Sequence, residues 1–320
     1  MCFRAIVGTV IFVSLALLLP SDYPVDKNGE IDWVGALLGT AGLIVFNVAW
    51  NQAPASGWDN PFEGVLLGIS VILLILFGIW EHKFAKTPIM PLGIWTAPSF
   101  VPVIFVVLLS FMANGIFLWY MVAWLQLLRG ESILSFGLQW TPFGIVATLG
   151  TFVAAWLIPR LAAQWILAIG SAAILIANVL LATMPVHQTY WAQVFPATIF
   201  MAFCPDFVYV AAQIVTSNSV KRAQQGVAAS LVGTLNLYGN SLGLGFAGTI
   251  ETEVNKKRVD MVRGFRAALL FGAALALLAI VVDLLFVRVV KDVREGWSDP
   301  ADEGGLDMEE GVSTGVEERG

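Results

Sequence analysis

"YWAQVFPATIFMAFCPDFVYVAAQIV", residues 190–215, runs for 26 residues without a Lys, Arg, Glu or His, and its one charge is the carboxylate of Asp206. A helix needs about 20 mostly apolar residues to cross a hydrocarbon core, and this stretch supplies them. In lipid every backbone N–H and C=O must be bonded within the protein, so an apolar run of this length is helical. The pattern repeats outward in both directions, at 3–19, 33–50, 62–80, 100–125, 134–157, 165–183, 227–248 and 265–287. Composition agrees: 58% of the 320 residues are hydrophobic, 12% are charged and mean hydropathy is +0.80, against about 25% charged in ordinary globular domains. The sequence therefore predicts an all-α integral membrane protein with about nine transmembrane helices.

The net charge of -6 does not describe a binding surface. Asp292, Glu295, Asp299, Asp302, Glu303, Asp307, Glu309, Glu310, Glu317 and Glu318 crowd the end of the chain among glycines, with almost no large apolar residues. Such a segment cannot bury enough surface to fold, so 289–320 reads as an acidic disordered tail. Cys2 and Cys204 form no CxxC or Cys/His cluster, and His82 and His187 fall in connecting loops. Neither metal nor cofactor is called for. Phosphate-cradling and nucleophile-elbow motifs are missing as well, so the chain is read as no enzyme, with no catalytic residue and no nucleic-acid partner.

Lys and Arg collect in short cytoplasmic loops. Alternate loops carry Lys27, then Lys83 and Lys86, Arg160, Lys221 with Arg222, and Arg288, Lys291 and Arg294. The opposite set is poorer, apart from Lys256, Lys257, Arg258 and Arg263 in the loop 251–264. The first set decides, and it places the C-terminal tail in the cytoplasm. Nine spans then start outside, which suits "MCFRAIVGTVIFVSLALLLP" poorly. Three readings compete for 1–20: a signal peptide lacking a clear cleavage pattern, a true first span, or the last span of a missing half. Polar, proline-bearing stretches mark the divisions: 1–20 is the first span, 21–98 a linker holding two spans, 99–288 six spans with short loops, and 289–320 the tail. Six spans are the size of one half of a two-half transporter.

Three stretches carry a resemblance. "SNSVKRAQQGVAASLVGTLNLYGNSLGLGFAGTIE" (217–251), "FPATIFMAFCPDFVYVAAQIVTSNSV" (195–220) and "SFMANGIFLWYMVAWLQLLRGESILSFGLQWTPFGI" (110–145) resemble spans in the C-terminal half of fungal fourteen-span drug:proton antiporters. These belong to the major facilitator superfamily, and the likeness is nearest to the aminotriazole and borate resistance branch. The extra two-span linker is what distinguishes fourteen from twelve. The resemblance implies proton-coupled efflux of a small molecule, with membrane lipid, protons and a small-molecule substrate as partners and the plasma membrane as location. It also implies an N-terminal half with no counterpart here, so the third reading of 1–20 is favoured and a missing transporter half becomes a candidate partner. Two alternatives stand beside it: a non-transporting membrane fragment, and a passive facilitator for a small neutral solute.

Asp206 is the residue most pointed at chemistry. A charge at mid-membrane costs about 2.5–3.5 kcal/mol or more, so it faces protein or water and not lipid. Asp206, Tyr209 and Gln213 recur at i, i+3 and i+7 on one helix face, and Pro205 frees a carbonyl one turn back, favouring a kink. Asp206 is the candidate proton-coupling group. Asn114, Gln126, Tyr209, Gln213, Asn236 and Asn240 are candidates for the substrate path. Phe111, Phe117, Trp119, Tyr120, Met121 and Trp124 surround Asn114 and Gln126 in sequence and suit a pocket for apolar solutes. Gly233, Gly239 and Gly243 read as helix-packing positions, the last two as a GxxxG pair. Asp283, five residues before Arg288, reads as half of an interfacial ion pair. Trp33, Trp50, Trp58, Trp80, Trp95 and Trp124 read mostly as an interfacial belt.

Overall fold

A computed structural model describes residues 2–18, 31–220, 224–255 and 260–288. The basic positions Lys27, Lys221, Arg222 and Lys256 to Arg258, and the acidic tail, lie outside the described residues. The chain divides into two units, Met1–Ile31 and Asp32–Gly320. The first contains α1 (Cys2–Leu18), a 17-residue helix whose described side chains are exposed.

In the second unit the described regular elements are all helical: α2 (Trp33–Ser56), α3 (Pro61–Lys83), a 3₁₀ turn (Leu92–Thr96), α4 (Phe100–Ala123), a π turn (Trp124–Leu128), α5 (Ile133–Leu157), α6 (Ala163–Ala182), α7 (Val194–Ser219), α8 (Gln225–Val254) and α9 (Met261–Phe286). Local chemistry sets several boundaries. Asp32, Ser132 and Asp260 each accept a hydrogen bond from the backbone N–H three residues on, and Asn60 accepts from Phe62 ahead of Pro61. These side chains satisfy donors that a helix N-terminus would otherwise leave bare. Gly57 and Gly130 take φ of 84° and 66°, a region L side chains rarely adopt. α7 runs unbroken through Pro205.

Seven described helices are long and apolar enough to cross a membrane: α2, α3, α4 with its π turn, α5, α6, α7 and α9. Two of the expected nine, α1 and α8, are not among these. α1 is described over 17 residues, at the short end of what crosses a hydrocarbon core. α8 has 30 residues, but its asparagines and glycines lower its hydropathy.

The packing explains why α8 tolerates that composition. α4 is the centre of the unit and touches α6, α7, α8 and α9; α8 lies between α4 on one side and α2 on another. α3 packs on α2, while α5 leans on α7. Phe100, Val103, Val106, Val107, Ile116, Phe117, Met121 and Trp124 are fully buried around α4, whereas α3 and α5 leave Val65, Ile72, Ile133, Leu138 and Phe152 exposed, as lipid-facing walls would.

The end carrying the α6–α7 connection is tied by two guanidiniums. Arg129 donates through Nε to Val186 O (2.8 Å) and through Nη2 to Pro185 O (3.3 Å), and Arg266 Nη2 donates to Met184 O (3.0 Å). Burial pushes the Arg129 pKa below the usual guanidinium value, opposed by neighbouring Glu131. Arg129→Met is expected to lower stability by about 1.5 kcal/mol, the low end for hydrogen bonds to a charged group because the side chain is half-exposed. An unchanged thermal unfolding curve would show that the loop is held without it.

Candidate functional site

Asp206 is half-buried on α7 and turned toward α5, where Thr151 Oγ1 donates to its Oδ2 at 3.1 Å. Gly150, one residue before Thr151, lies beside it: a methyl there would make ordinary van der Waals contact with Asp206 Oδ2 at 3.6 Å. Among the described residues Asp206 forms no ion pair. A carboxylate in a membrane span, held by one exposed hydroxyl and lacking a fixed counter-charge, can gain and lose a proton without breaking a salt bridge.

The rest of the i, i+3, i+7 stripe turns the other way. Tyr209 is half-buried with its hydroxyl beside Gly233 of α8, and Gln213 Nε2 donates to Ala229 O at 3.1 Å. The α7 stripe therefore spans a face bounded by α5 on the Asp206 side and α8 on the Gln213 side. Asp206, Tyr209 and Gln213 are each half-buried, the first against α5 and the other two against α8.

A second polar group lies in the α4–α8 contact. Asn114 Nδ2 donates to Asn240 Oδ1 (3.0 Å), and Asn240 Nδ2 donates to Asn236 O (2.7 Å) and Oδ1 (3.2 Å). Asn114 is 4% exposed and its Oδ1 has no partner among the described residues. Close backbone approach makes the chain of amides possible. A Cβ on Gly239 would meet Leu108 O at 3.1 Å, one on Gly243 would lie 2.7 Å from Met112 Cα, and one on Gly115 would lie 2.7 Å from Asn240 Cα. Gly233 differs: its nearest neighbour would be the Tyr209 hydroxyl at 3.7 Å, so the position allows a side chain. Gln126 stands apart from both groups, half-buried in the π turn.

Three expectations need correction. The aromatic and Met residues around Asn114 line no open pocket: Phe111, Phe117, Tyr120, Met121 and Trp124 are at most 1% exposed, and only Trp119 of that set is exposed. They are core because α4 is surrounded, a property of tertiary packing that a single span cannot display. Trp124 likewise leaves the interfacial belt, while Trp33 is 73% exposed at its helix end. Asp283 makes no ion pair with Arg288; it is fully buried with both oxygens unpartnered among the described residues. The helix ends at Phe286 and Val287 is extended, so Arg288 lies beyond α9, with its backbone N–H and C=O bonded to the Ser99 hydroxyl.

Residues that carry polar contacts but were not singled out are Thr151, the buried Ser110–Ser171 pair (3.0 Å), Asn178 donating to Ala113 O and Ile174 O, and Glu251 accepting from Tyr120 at 2.7 Å. Serine and threonine are common in apolar helices, and nothing local separates these from others. Glu251 carried a signal as the first acid after a long apolar span.

Residues 103–312 match the family model of the Major Facilitator Superfamily. The chain belongs to that superfamily. Its members are membrane transporters and not enzymes, and with the seven apolar helices this makes the chain a multi-pass membrane protein. It is similar to the efflux pump terJ of Aspergillus terreus, 36% identical over 80% of this chain and 49% of that protein. The aminotriazole resistance protein of Saccharomyces cerevisiae is 31% identical over 88% of this chain and 52% of its own length. The low affinity ammonium transporter of the same yeast is 34% identical over 79% and 49% respectively. The chain spans about half the length of the curated relatives it matches.

Proposed function

We propose that this member of the superfamily serves secondary active transport, exporting a small molecule in exchange for protons in the manner of the fourteen-span drug:proton antiporters, with nine spans and its tail in the cytoplasm of a plasma-membrane protein. The observation that carries the reading is Asp206, a half-buried carboxylate in a membrane span with one hydroxyl donor and no ion pair among the described residues. A group so placed is costly unless it opens to water or exchanges its charge. Proton exchange at Asp206 would bias which side the carrier opens to. Tyr209 and Gln213 share its face, and the Asn114, Asn240 and Asn236 amides would offer donors and acceptors at the neighbouring helix contact, with Gln126 further out. The names of two relatives, an efflux pump and an aminotriazole resistance protein, agree with export of an organic small molecule.

A second reading is passive passage of a small neutral solute; one relative is named for ammonium, whose conjugate base, ammonia, is such a solute. Proteoliposomes with an imposed pH gradient separate the two. Proton coupling is expected to concentrate a tracer such as aminotriazole against its own gradient and to stop when a protonophore collapses the pH difference. Flux that only equilibrates, with or without protonophore, would favour the facilitator.

A further inference from the structure

Asp283 stands in the last turn of α9 and takes no part in the transport reading above. Its side chain is fully buried, and neither carboxyl oxygen has a hydrogen-bond partner among the described residues. The neighbouring helices supply no charge. α9 packs against α4, α6 and α8, and α4 and α6 contain no Asp, Glu, Lys, Arg or His. On α8 the charges are Glu251 and Glu253, at the other end of the bundle, where Glu251 meets Gly264 and Tyr120. Tyr238 of α8 is bonded to Leu43 O on α2, and the cations of α9 itself, Arg263 and Arg266, belong to its first turns. Arg160, between α5 and α6, donates to Trp156 O at 2.7 Å and lies over the Trp156 ring, and Arg288 is exposed. An ionised carboxylate in this place would lack both a counter-charge and a donor, whereas the neutral acid leaves only ordinary polar atoms unpaired.

The junction around Asp283 is closed by bonds to the backbone. Gln164 Nε2, in the first turn of α6, donates to Asp283 O at 3.3 Å. Beyond it Val287 is fully buried, and Ser99 Oγ, just ahead of α4, donates to Arg288 O (3.2 Å) and accepts from Arg288 N–H (3.1 Å). Ser99 holds a φ of 61°, the one positive value among the described non-glycine residues, and such strain persists only where the surroundings over-determine it. The Ser99–Arg288 bonds are exposed, so the surface begins about one helical turn past the buried carboxyl.

We propose that Asp283 is a proton-binding site, folded in as the neutral acid with the proton on one carboxyl oxygen, and that it exchanges this proton with water at the tail end of α9 when the Ser99–Arg288 clasp parts. On release the O–H bond breaks, the electron pair stays on the carboxylate, and water takes the proton. The site does not rest on Asp206. Failure of the transport reading leaves Asp283 buried and bare, and an ionised Asp283 leaves Asp206 as it is.

Infrared spectroscopy of the purified full chain in dodecyl maltoside, which has no carbonyl of its own, tests it. At about pH 7.5 exposed carboxyl groups, which titrate at about 4, are ionised. An acid C=O band is expected to remain in the Asp206→Asn protein, to shift when the chain is made with carbon-13 carboxyl-labelled aspartate, and to vanish in Asp283→Asn. The isotope shift assigns the band to an aspartate even where Asp283→Asn fails to fold. Ser99→Ala is expected to speed the band's shift in heavy water by at least about tenfold, as the loss of two neutral hydrogen bonds implies. Absence of the band from the Asp206→Asn protein at that pH would overturn the proposal. So would a band that survives Asp283→Asn, or a heavy-water shift that Ser99→Ala leaves unchanged.

Discussion

Gly243→Ala and Gly115→Ala are each expected to lower stability by about 3 kcal/mol, the upper end for overpacking of a well-filled interior. The reason is the kind of atom in the way. A methyl on Gly243 would sit 2.7 Å from Met112 Cα, and one on Gly115 would sit 2.7 Å from Asn240 Cα. Main-chain atoms cannot rotate aside as a side-chain tip can, so α4 and α8 must separate along the whole crossing. Separation would also pull Asn114 away from Asn240 Oδ1, leaving another amide unpaired in the interior. Gly144→Ala on α5 is the control: a methyl there meets nothing within 4 Å, and replacing a helical glycine gains about 0.5–1 kcal/mol. Thermal unfolding in one detergent ranks the three. Gly243→Ala melting with the unsubstituted protein would mean that the α4–α8 contact is looser than described.

Asp206→Asn is expected to cut pH-gradient-driven flux by at least about tenfold while leaving the amount of folded protein unchanged. Asparagine keeps the size of aspartate and can still accept from Thr151, but it cannot exchange a proton near neutral pH. The site tolerates the neutral side chain because, among the described residues, Asp206 has one hydroxyl partner and no ion pair to lose. Thr151→Val removes the hydroxyl alone, so it should displace the pH dependence of flux and not abolish it. An Asp206→Asn protein whose flux follows pH as before would end the assignment of the proton to this residue.

Much of this was legible along the chain. A lone acid in a 26-residue apolar run, glycines four apart at Gly239 and Gly243, and asparagines four apart at Asn236 and Asn240 are periodic features, and periodicity survives in one dimension. Their partners were not legible. Thr151 is one of many hydroxyls in apolar helices, and nothing local distinguishes it until α5 is laid beside α7. The glycine pair announced a close approach, but Gly115 on the other side stands alone in its helix, and Gly233, which looked like its neighbours, would bring a methyl only to ordinary contact with the Tyr209 hydroxyl at 3.7 Å. The aromatic set near Asn114 misled for the same reason: a helix apolar on every side can face lipid, ligand or protein, and its own residues do not say which.

By itself the sequence determined that the chain is helical and lives in a bilayer, because length and hydropathy are set residue by residue and lipid admits few other backbones. It also determined that Asp206 needs a special environment, since the cost of a charge in hydrocarbon depends on no neighbour. Only the tertiary structure decided that α4 is the buried centre, that α8 carries its amides against α4, and that Asp283 is buried with no ion pair among the described residues. Those outcomes depend on which helix faces meet, and contact between faces arises from packing over long sequence separations that no single span records.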